Sequence, residues 1–221
     1  MNYTLQTGIN LDKTTDLKEK WYGLNSTYNL GCVTYLYKKY NRPNTVDEFY
    51  NAYTADTSIT EDCRTVGRSE EYLNNVSSTL AARDNFSLDL EDYFSYIIKK
   101  LFYDTINGAK KETELAEIVK SKGYTIKEPN FKEDTQFGID LFVYKDNKLL
   151  CILQAKPHTF FLGNNNASLI NDRKRALEKE TKCKKTYNVP VFYCIYNKNT
   201  GEWVRKSNGK MCWLLNTLIT D

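Results

Sequence analysis

The chain is 221 residues long, with 41% apolar residues and 31 Lys and Arg set against 28 Asp and Glu. That length and apolar content suit one sizeable domain, or a small core with an appended subdomain, and exclude a disordered chain. A net charge of +3 carries no argument for nucleic acid on its own, and no apolar segment has the length of a membrane span, so no membrane partner is expected.

Residues 1 to about 105 lack the alternation of strands and read as a helical N-terminal subdomain. Thr45-Val46-Asp47-Glu48 has the form of a capping box and opens a helix through Phe49, Tyr50 and Tyr53. The loop Arg64-Thr65-Val66-Gly67-Arg68-Ser69 sets two arginines around a glycine just ahead of the next helix. It suits an anion, although an ordinary loop and cap is the simpler reading. Ser69-Glu70-Glu71-Tyr72-Leu73 starts that helix with carboxylates in its first turn, where the helix dipole favours them. The strongest helical pattern runs from about Leu88 to Ile106, where Tyr93, Phe94, Ile97, Ile98, Leu101 and Phe102 form a stripe that reads as core packing. The 17 tyrosines read mostly as amphipathic packing residues, although the type can stack on a base or donate to a phosphate.

Gly108 to Lys122 reads as an amphipathic helix stopped by Gly123, with lysines in its last turn. Its apolar stripe is Leu115, Ile118 and Val119. At about 100° per residue Glu112 lies roughly 70° from the centre of that stripe, Glu114 about 90° and Glu117 about 150°. Glu117 therefore faces solvent, and Glu112 borders the sheet best by a small margin over Glu114.

Tyr124 to Lys127 is a short strand. Gly138 to Tyr144 and Leu149 to Lys156 alternate with period two, and Asp146-Asn147 between them supplies turn chemistry, which makes a hairpin. Leu150, Ile152, Gln154 and Lys156 are expected on one face, and Asp140, Phe142 and Tyr144 on another. An amide and an ammonium thus end an apolar row. Burying each costs roughly 1–3 kcal/mol unless a partner or a task compensates, and this misfit marks the stretch as functional. The alternative is a hairpin whose Gln154 and Lys156 merely reach solvent.

Ala167 to Lys184 reads as a second helix and Val189 to Tyr196 as a strongly apolar strand. Asn197-Lys198-Asn199-Thr200-Gly201 turns into Glu202-Trp203-Val204, and Lys210 to Ile219 is a hydrophobic closing element of open type. Lys110-Lys111, Lys120 with Lys122, Arg173-Lys174-Arg175, Lys182 and Lys184-Lys185 fall on or beside the helices and read as solvated faces that can support an anionic partner.

Six cysteines (Cys32, Cys63, Cys151, Cys183, Cys194, Cys212) form no C-x-x-C pair, and Cys151 and Cys194 sit in strand patterns as small hydrophobes. Met1 to Gln6 has neither a basic n-region nor an apolar run, so a reduced, cytoplasmic protein is expected. The single histidine, His158, cannot supply a His-Cys zinc cluster or a conventional Ser-His triad by itself. Metal-ligand duty falls on oxygen donors, which favour magnesium or manganese.

The series helix, three strands, helix, strand, with Asp140 on one strand and Gln154-Ala155-Lys156 on the next, resembles the PD-(D/E)XK nuclease superfamily. That signature is an acidic residue on one strand and an acid-x-Lys tripeptide on the next. Gln154 departs from the commoner acid, and glutamine is an accepted variant in some restriction enzymes of the superfamily. The resemblance implies an α/β (α+β) fold, with a restriction-endonuclease-like core and mixed sheet over residues 106–221. It leaves the helical residues 1–105 for DNA recognition or dimerisation. The chain length, the Asp then Gln-x-Lys pattern and the helical first half resemble a small type II restriction endonuclease, loosely MjaI-like. That likeness implies a Mg2+-dependent hydrolase, with Mn2+ as a substitute, that cuts double-stranded DNA. It also implies a homodimer reading a short palindrome through its own two-fold symmetry, beside a cognate DNA methyltransferase. A repair or recombination nuclease and a junction resolvase stand on the same core. A catalytically silent DNA-binding module is the alternative from another class, and retention of Asp140 and Lys156 argues against it.

Phosphodiester hydrolysis needs a positioned water, stabilisation of charge on the phosphate and help for the leaving oxygen, to all of which a divalent ion contributes. The resemblance makes Asp140 the anionic ligand, with the Gln154 side-chain oxygen and the Ala155 carbonyl beside it, and sets Lys156 next to the water or scissile phosphate. Related nucleases often carry a glutamate eleven residues before the Gly-aromatic step that ends the preceding helix, and Glu112 has that spacing to Gly123-Tyr124. Glutamine for an acid removes one negative charge, so such a site holds metal more weakly unless another carboxylate joins it.

Overall fold

A computed structural model of the protein describes residues 17, 20, 21, 24, 30, 32–56, 69–157, 160, 167–197, 202–207 and 210–213. The chain forms two units, Met1–Gly108 and Ala109–Asp221. Arg64 to Arg68, His158, Cys63 and the end of the closing element, 214–219, lie outside the described residues.

In the first unit, α1 (Val33–Lys39), α2 (Val46–Ala55), α3 (Glu70–Arg83) and α4 (Leu90–Ile98) follow one another. Thr45 and Glu48 form the expected capping box at the start of α2, and Ser69 caps α3 by accepting from the Tyr72 N–H at 3.1 Å. The expected stripe is buried at Tyr93, Phe94, Ile97, Ile98, Leu101 and Phe102. Its helix is interrupted by a π turn at Lys99–Tyr103, which rotates the apolar face so that Phe102 meets Phe49, Tyr50 and Tyr53 at ring distances of 5.0, 5.7 and 5.2 Å. Between α3 and α4 the buried carboxylate of Asp84 accepts from the Tyr93 hydroxyl at 2.6 Å and also pairs with Lys20 and Ser87. A buried charge requires such partners.

The second unit is a six-stranded mixed sheet in the order β1 to β6. Helix α5 (Asp104–Ser121), across which the division into units falls, leads to β1 (Thr125–Lys127), short α6 (Phe131–Phe137), β2 (Leu141–Lys145) and β3 (Lys148–Pro157). Long α7 (Ala167–Tyr187) then crosses over to β4 (Val191–Asn197), followed by β5 (Glu202–Ser207) and β6 (Lys210–Trp213). All neighbouring pairs are antiparallel except β3 with β4, whose parallel pairing requires a crossover of the kind α7 provides.

Asp146 and Asn147 take φ of 49° and 63°, the left-handed pair that a two-residue turn needs to match strand twist, so the hairpin forms at the expected place. Its faces differ from the expected arrangement. Phe142 stands opposite Ile152, and both pack with Ile139, Cys183 and Val191, so the rows containing Asp140 and Gln154 belong to one face. The pairing also slips between Val143 and Tyr144, whose partners are Cys151 and Leu149. Leu150 is the extra residue of a bulge, and Leu149 takes its expected place beside Tyr144 in that cluster. The opposite face packs Leu141, Val143, Cys151 and Leu153 against Leu115, Ala116 and Val119 of α5. The sheet thus has α5 on one side and Cys183 of α7 on the other.

Candidate functional site

Helix α6 sets the position of Asp140. The Asn130 side chain accepts from the Glu133 N–H at 2.9 Å while Glu133 accepts from the Asn130 N–H at 2.7 Å, a second capping box. The helix stops at Gly138, whose φ of 64° suits a residue without Cβ and whose N–H donates to the Asp134 carbonyl at 2.7 Å. A Cβ there would lie 3.3 Å from Cδ of Lys179 and 3.6 Å from Nε2 of Gln154. Two residues on, the Asp140 N–H donates to the Leu153 carbonyl at 3.1 Å, and the chain enters β2.

The β2–β3 ladder begins at Leu141 opposite Leu153. One step beyond it, the Ala155 N–H donates to Oδ2 of Asp140 at 2.6 Å, so a carboxylate replaces the backbone acceptor that a longer β2 would supply. A strand residue directs its N–H and C=O to the same flank, which turns the Ala155 carbonyl toward Asp140 as well. The half-buried Asp140 thus stands at the point where β2–β3 pairing stops.

Gln154 and Lys156 lie on the α7 face. Gln154 is 1% exposed and its Nε2 donates to the Phe137 carbonyl at 3.1 Å. The amide therefore has a structural partner that the sequence reading did not supply, and its Oε1 is the atom it offers to a ligand. Lys156 is half-buried with Nζ 6.0 Å from the Phe160 ring, which stands 6.3 Å from the Tyr193 ring. Tyr193 is opposite Gln154 in the parallel ladder. Burial pushes its hydroxyl well above the ordinary tyrosine range, and the nearby Glu180 carboxylate adds to the shift. Arg173 fixes this corner by donating from Nε to the Phe160 carbonyl at 2.6 Å.

Glu112 is half-buried on α5, one turn before Leu115 and Ala116. Glu114 and Glu117 are exposed and ion-paired with Lys111 and Lys120 at 2.6 and 2.8 Å. Because α5 covers the face opposite Gln154, the expected residues do not all meet on one side. Asp140 and Ala155 are joined directly, Gln154 and Lys156 flank them on the α7 face, and α5 carries Glu112 on the other.

Among the described residues no three His, Cys, Asp or Glu side chains gather as a metal site. The expected donor set contains only two carboxylates, with an amide oxygen and a backbone carbonyl, all hard oxygen donors of the kind Mg2+ accepts. In chemistry they fit such an ion, with few charges to hold it. The sequence reading missed α6, although Asn130-x-x-Glu133 is a legible capping signal, and it missed Phe137 and Phe160, which carry no polar side chain to mark them.

No protein-family model, curated protein or solved structure matches the chain. Among the described residues no helix is long and apolar enough to cross a membrane.

Proposed function

We propose that this chain is a metal-dependent endodeoxyribonuclease on a PD-(D/E)XK core, cutting double-stranded DNA at specific sites in the manner of a small type II restriction endonuclease. The observation that carries this reading is the 2.6 Å bond from the Ala155 N–H to Asp140. It brings the acid of one strand against the Gln-Ala-Lys tripeptide of the next, as the superfamily signature requires. The strand pattern around it, antiparallel through β3 and parallel from β3 to β4, adds support for a restriction-endonuclease-like core.

In this reading Asp140 and the Ala155 carbonyl hold Mg2+ or Mn2+ at the end of the β2–β3 ladder, with Gln154 Oε1 approaching from the α7 face and Glu112 from the α5 face. When bound, the ion supplies Lewis-acid stabilisation of the phosphate and lowers the pKa of a coordinated water. The protein's own part is positional. The backbone of β3 fixes Asp140, Phe137 orients the Gln154 amide, and Lys156 lies over Phe160 where its ammonium balances charge on a scissile phosphate. A homodimer on palindromic DNA and a partner methyltransferase complete the proposal.

The test is incubation of purified protein with plasmid and magnesium against an EDTA control. Discrete fragments that require metal support a site-specific nuclease, and metal-dependent smearing supports a repair-type nuclease on the same core. Duplex binding without cleavage at any magnesium or manganese concentration overturns the enzyme in favour of a silent DNA-binding module.

A further inference from the structure

A cleft between α6 and α7, beside the candidate site, has no part in the chemistry above. It encloses about 420 Å³ and is lined by Thr135, Gln136 and Phe137 at the end of α6 and by Arg175, Glu178, Lys179 and Lys182 of α7. Helix α6 is held on α7 by the Phe137 and Tyr187 rings, 5.7 Å apart, and by the Tyr187 hydroxyl donating to Glu133 at 3.3 Å. Positions 175, 179 and 182 are spaced i, i+4 and i+7, which places their side chains within roughly 60° of one another on the helix.

Three cations against one carboxylate line the cleft. Among the described residues none of Arg175, Lys179 and Lys182 makes an ion pair, whereas Lys184 of the same helix pairs with Glu180 and Lys111 and Lys120 pair with glutamates. Like charges gathered on one wall repel one another, so an unneutralised trio favours an anionic occupant. The cleft also leads to the site. The Phe137 that lines it accepts from the Gln154 amide, and the Lys179 stem lies over Gly138 beside that same amide.

We propose that the α6–α7 cleft is a phosphodiester-binding subsite, taking the DNA backbone where it flanks the phosphate at Asp140 and Lys156. DNA as the ligand rests on the nuclease reading; the cationic cleft does not. Contacts of this kind position a strand without reading its sequence, and each neutralised phosphate contributes to the salt dependence of binding.

The experiment measures binding of a fluorescent duplex by the full chain in EDTA, over a series of salt concentrations. Arg175→Gln, Lys179→Gln and Lys182→Gln are compared with Lys174→Gln and Lys185→Gln, which remove the same charge from exposed positions outside the cleft. Each cleft variant is expected to weaken binding several-fold for every duplex sequence and to reduce the salt slope by about one unit. Lys182→Arg is expected to bind as the parent does, which separates loss of charge from loss of fold. Cleft variants that bind no worse than the Lys174 and Lys185 controls overturn the subsite, even where the parent binds and cuts. Cleft-dependent binding without cleavage sustains the subsite and sinks the nuclease. A parent protein that binds no duplex overturns both.

Discussion

Asp140 and Ala155 are joined through backbone and side chain, with Oδ2 of the carboxylate accepting from the Ala155 N–H at 2.6 Å where the β2–β3 ladder ends. The carboxylate therefore has a structural duty as well as a proposed chemical one. Asp140→Asn keeps an acceptor oxygen and removes the charge; it is expected to lose cleavage while retaining its melting temperature and metal-free DNA binding. Asp140→Ala strips the N–H of its partner and is expected to lose about 1–3 kcal/mol of stability in addition. Lys156→Ala should lose cleavage with the fold intact. Near-normal cleavage by Asp140→Asn or Lys156→Ala would show that the site lies elsewhere.

Glu112, Glu114 and Glu117 separate by position on α5. The latter two are exposed in ion pairs with Lys111 and Lys120, and pairs of that kind contribute about 0–1 kcal/mol. Glu114→Gln and Glu117→Gln are expected to cut and melt close to the parent, whereas Glu112→Gln is expected to cut much more slowly. Cleavage rates under identical magnesium settle the order. If Glu114→Gln is the inactive variant, the wrong neighbour has been chosen.

Those expectations came from helical phase, which is legible because one residue's rotation about a helix follows from its number alone. The capping box at Thr45, the turn at Asp146-Asn147 and the buried stripe from Tyr93 to Phe102 were legible for similar reasons, since each depends on residues close in sequence. The face of the hairpin was not. Leu150 bulges out of β3, and period-two counting fails once one strand carries an extra residue. The partner of Gln154 was equally hidden, because the Phe137 carbonyl is a backbone atom brought seventeen residues back by α6. Lys179 of α7, whose stem lies beside the Gln154 amide, was not singled out either. Its significance comes from the α6–α7 cleft and from Gly138 beneath it, neither of which is a local pattern.

Cys183 makes stability depend on pH. It is buried under the sheet with Ile139, Phe142 and Ile152, and burial pushes its thiol up to about 11 from an ordinary 9.0. The folded state favours the neutral thiol, so this contribution is fully present below pH 9.0, diminishes as the unfolded chain releases its proton, and is lost as pH rises through about 11. Tyr193, also raised, adds to the same loss above its ordinary value of 10.0. Urea unfolding at a series of pH values is expected to show falling stability from pH 9, with a shallower fall in Cys183→Ala although that variant begins less stable. Equal slopes for parent and variant would mean that the thiol titrates alike in both states.

The last prediction turns on Gln154, whose amide is 1% exposed and donates to the Phe137 carbonyl. A glutamate in its place would set a carboxylate oxygen against that carbonyl, replacing a hydrogen bond by repulsion in a dehydrated position. Without metal, Gln154→Glu is expected to be less stable by about 1–3 kcal/mol or more, and increasingly so as pH rises, since burial holds the new carboxyl protonated and its ionisation opposes folding. A divalent ion at Asp140 would reverse the sign, because a carboxylate attracts it more strongly than an amide oxygen at the same distance. Magnesium should therefore raise the melting temperature of Gln154→Glu more than that of the parent, and the magnesium midpoint for plasmid cleavage should fall. The maximal rate should stay similar or drop, because a negative charge beside Lys156 favours the protonated ammonium and repels the phosphate. An unchanged midpoint in a folded, active variant would remove Gln154 from the ligand set and leave the ion to Asp140, Glu112, the Ala155 carbonyl and water. A variant destabilised without metal and unmoved by it would give Gln154 the single task of anchoring β3 to the end of α6.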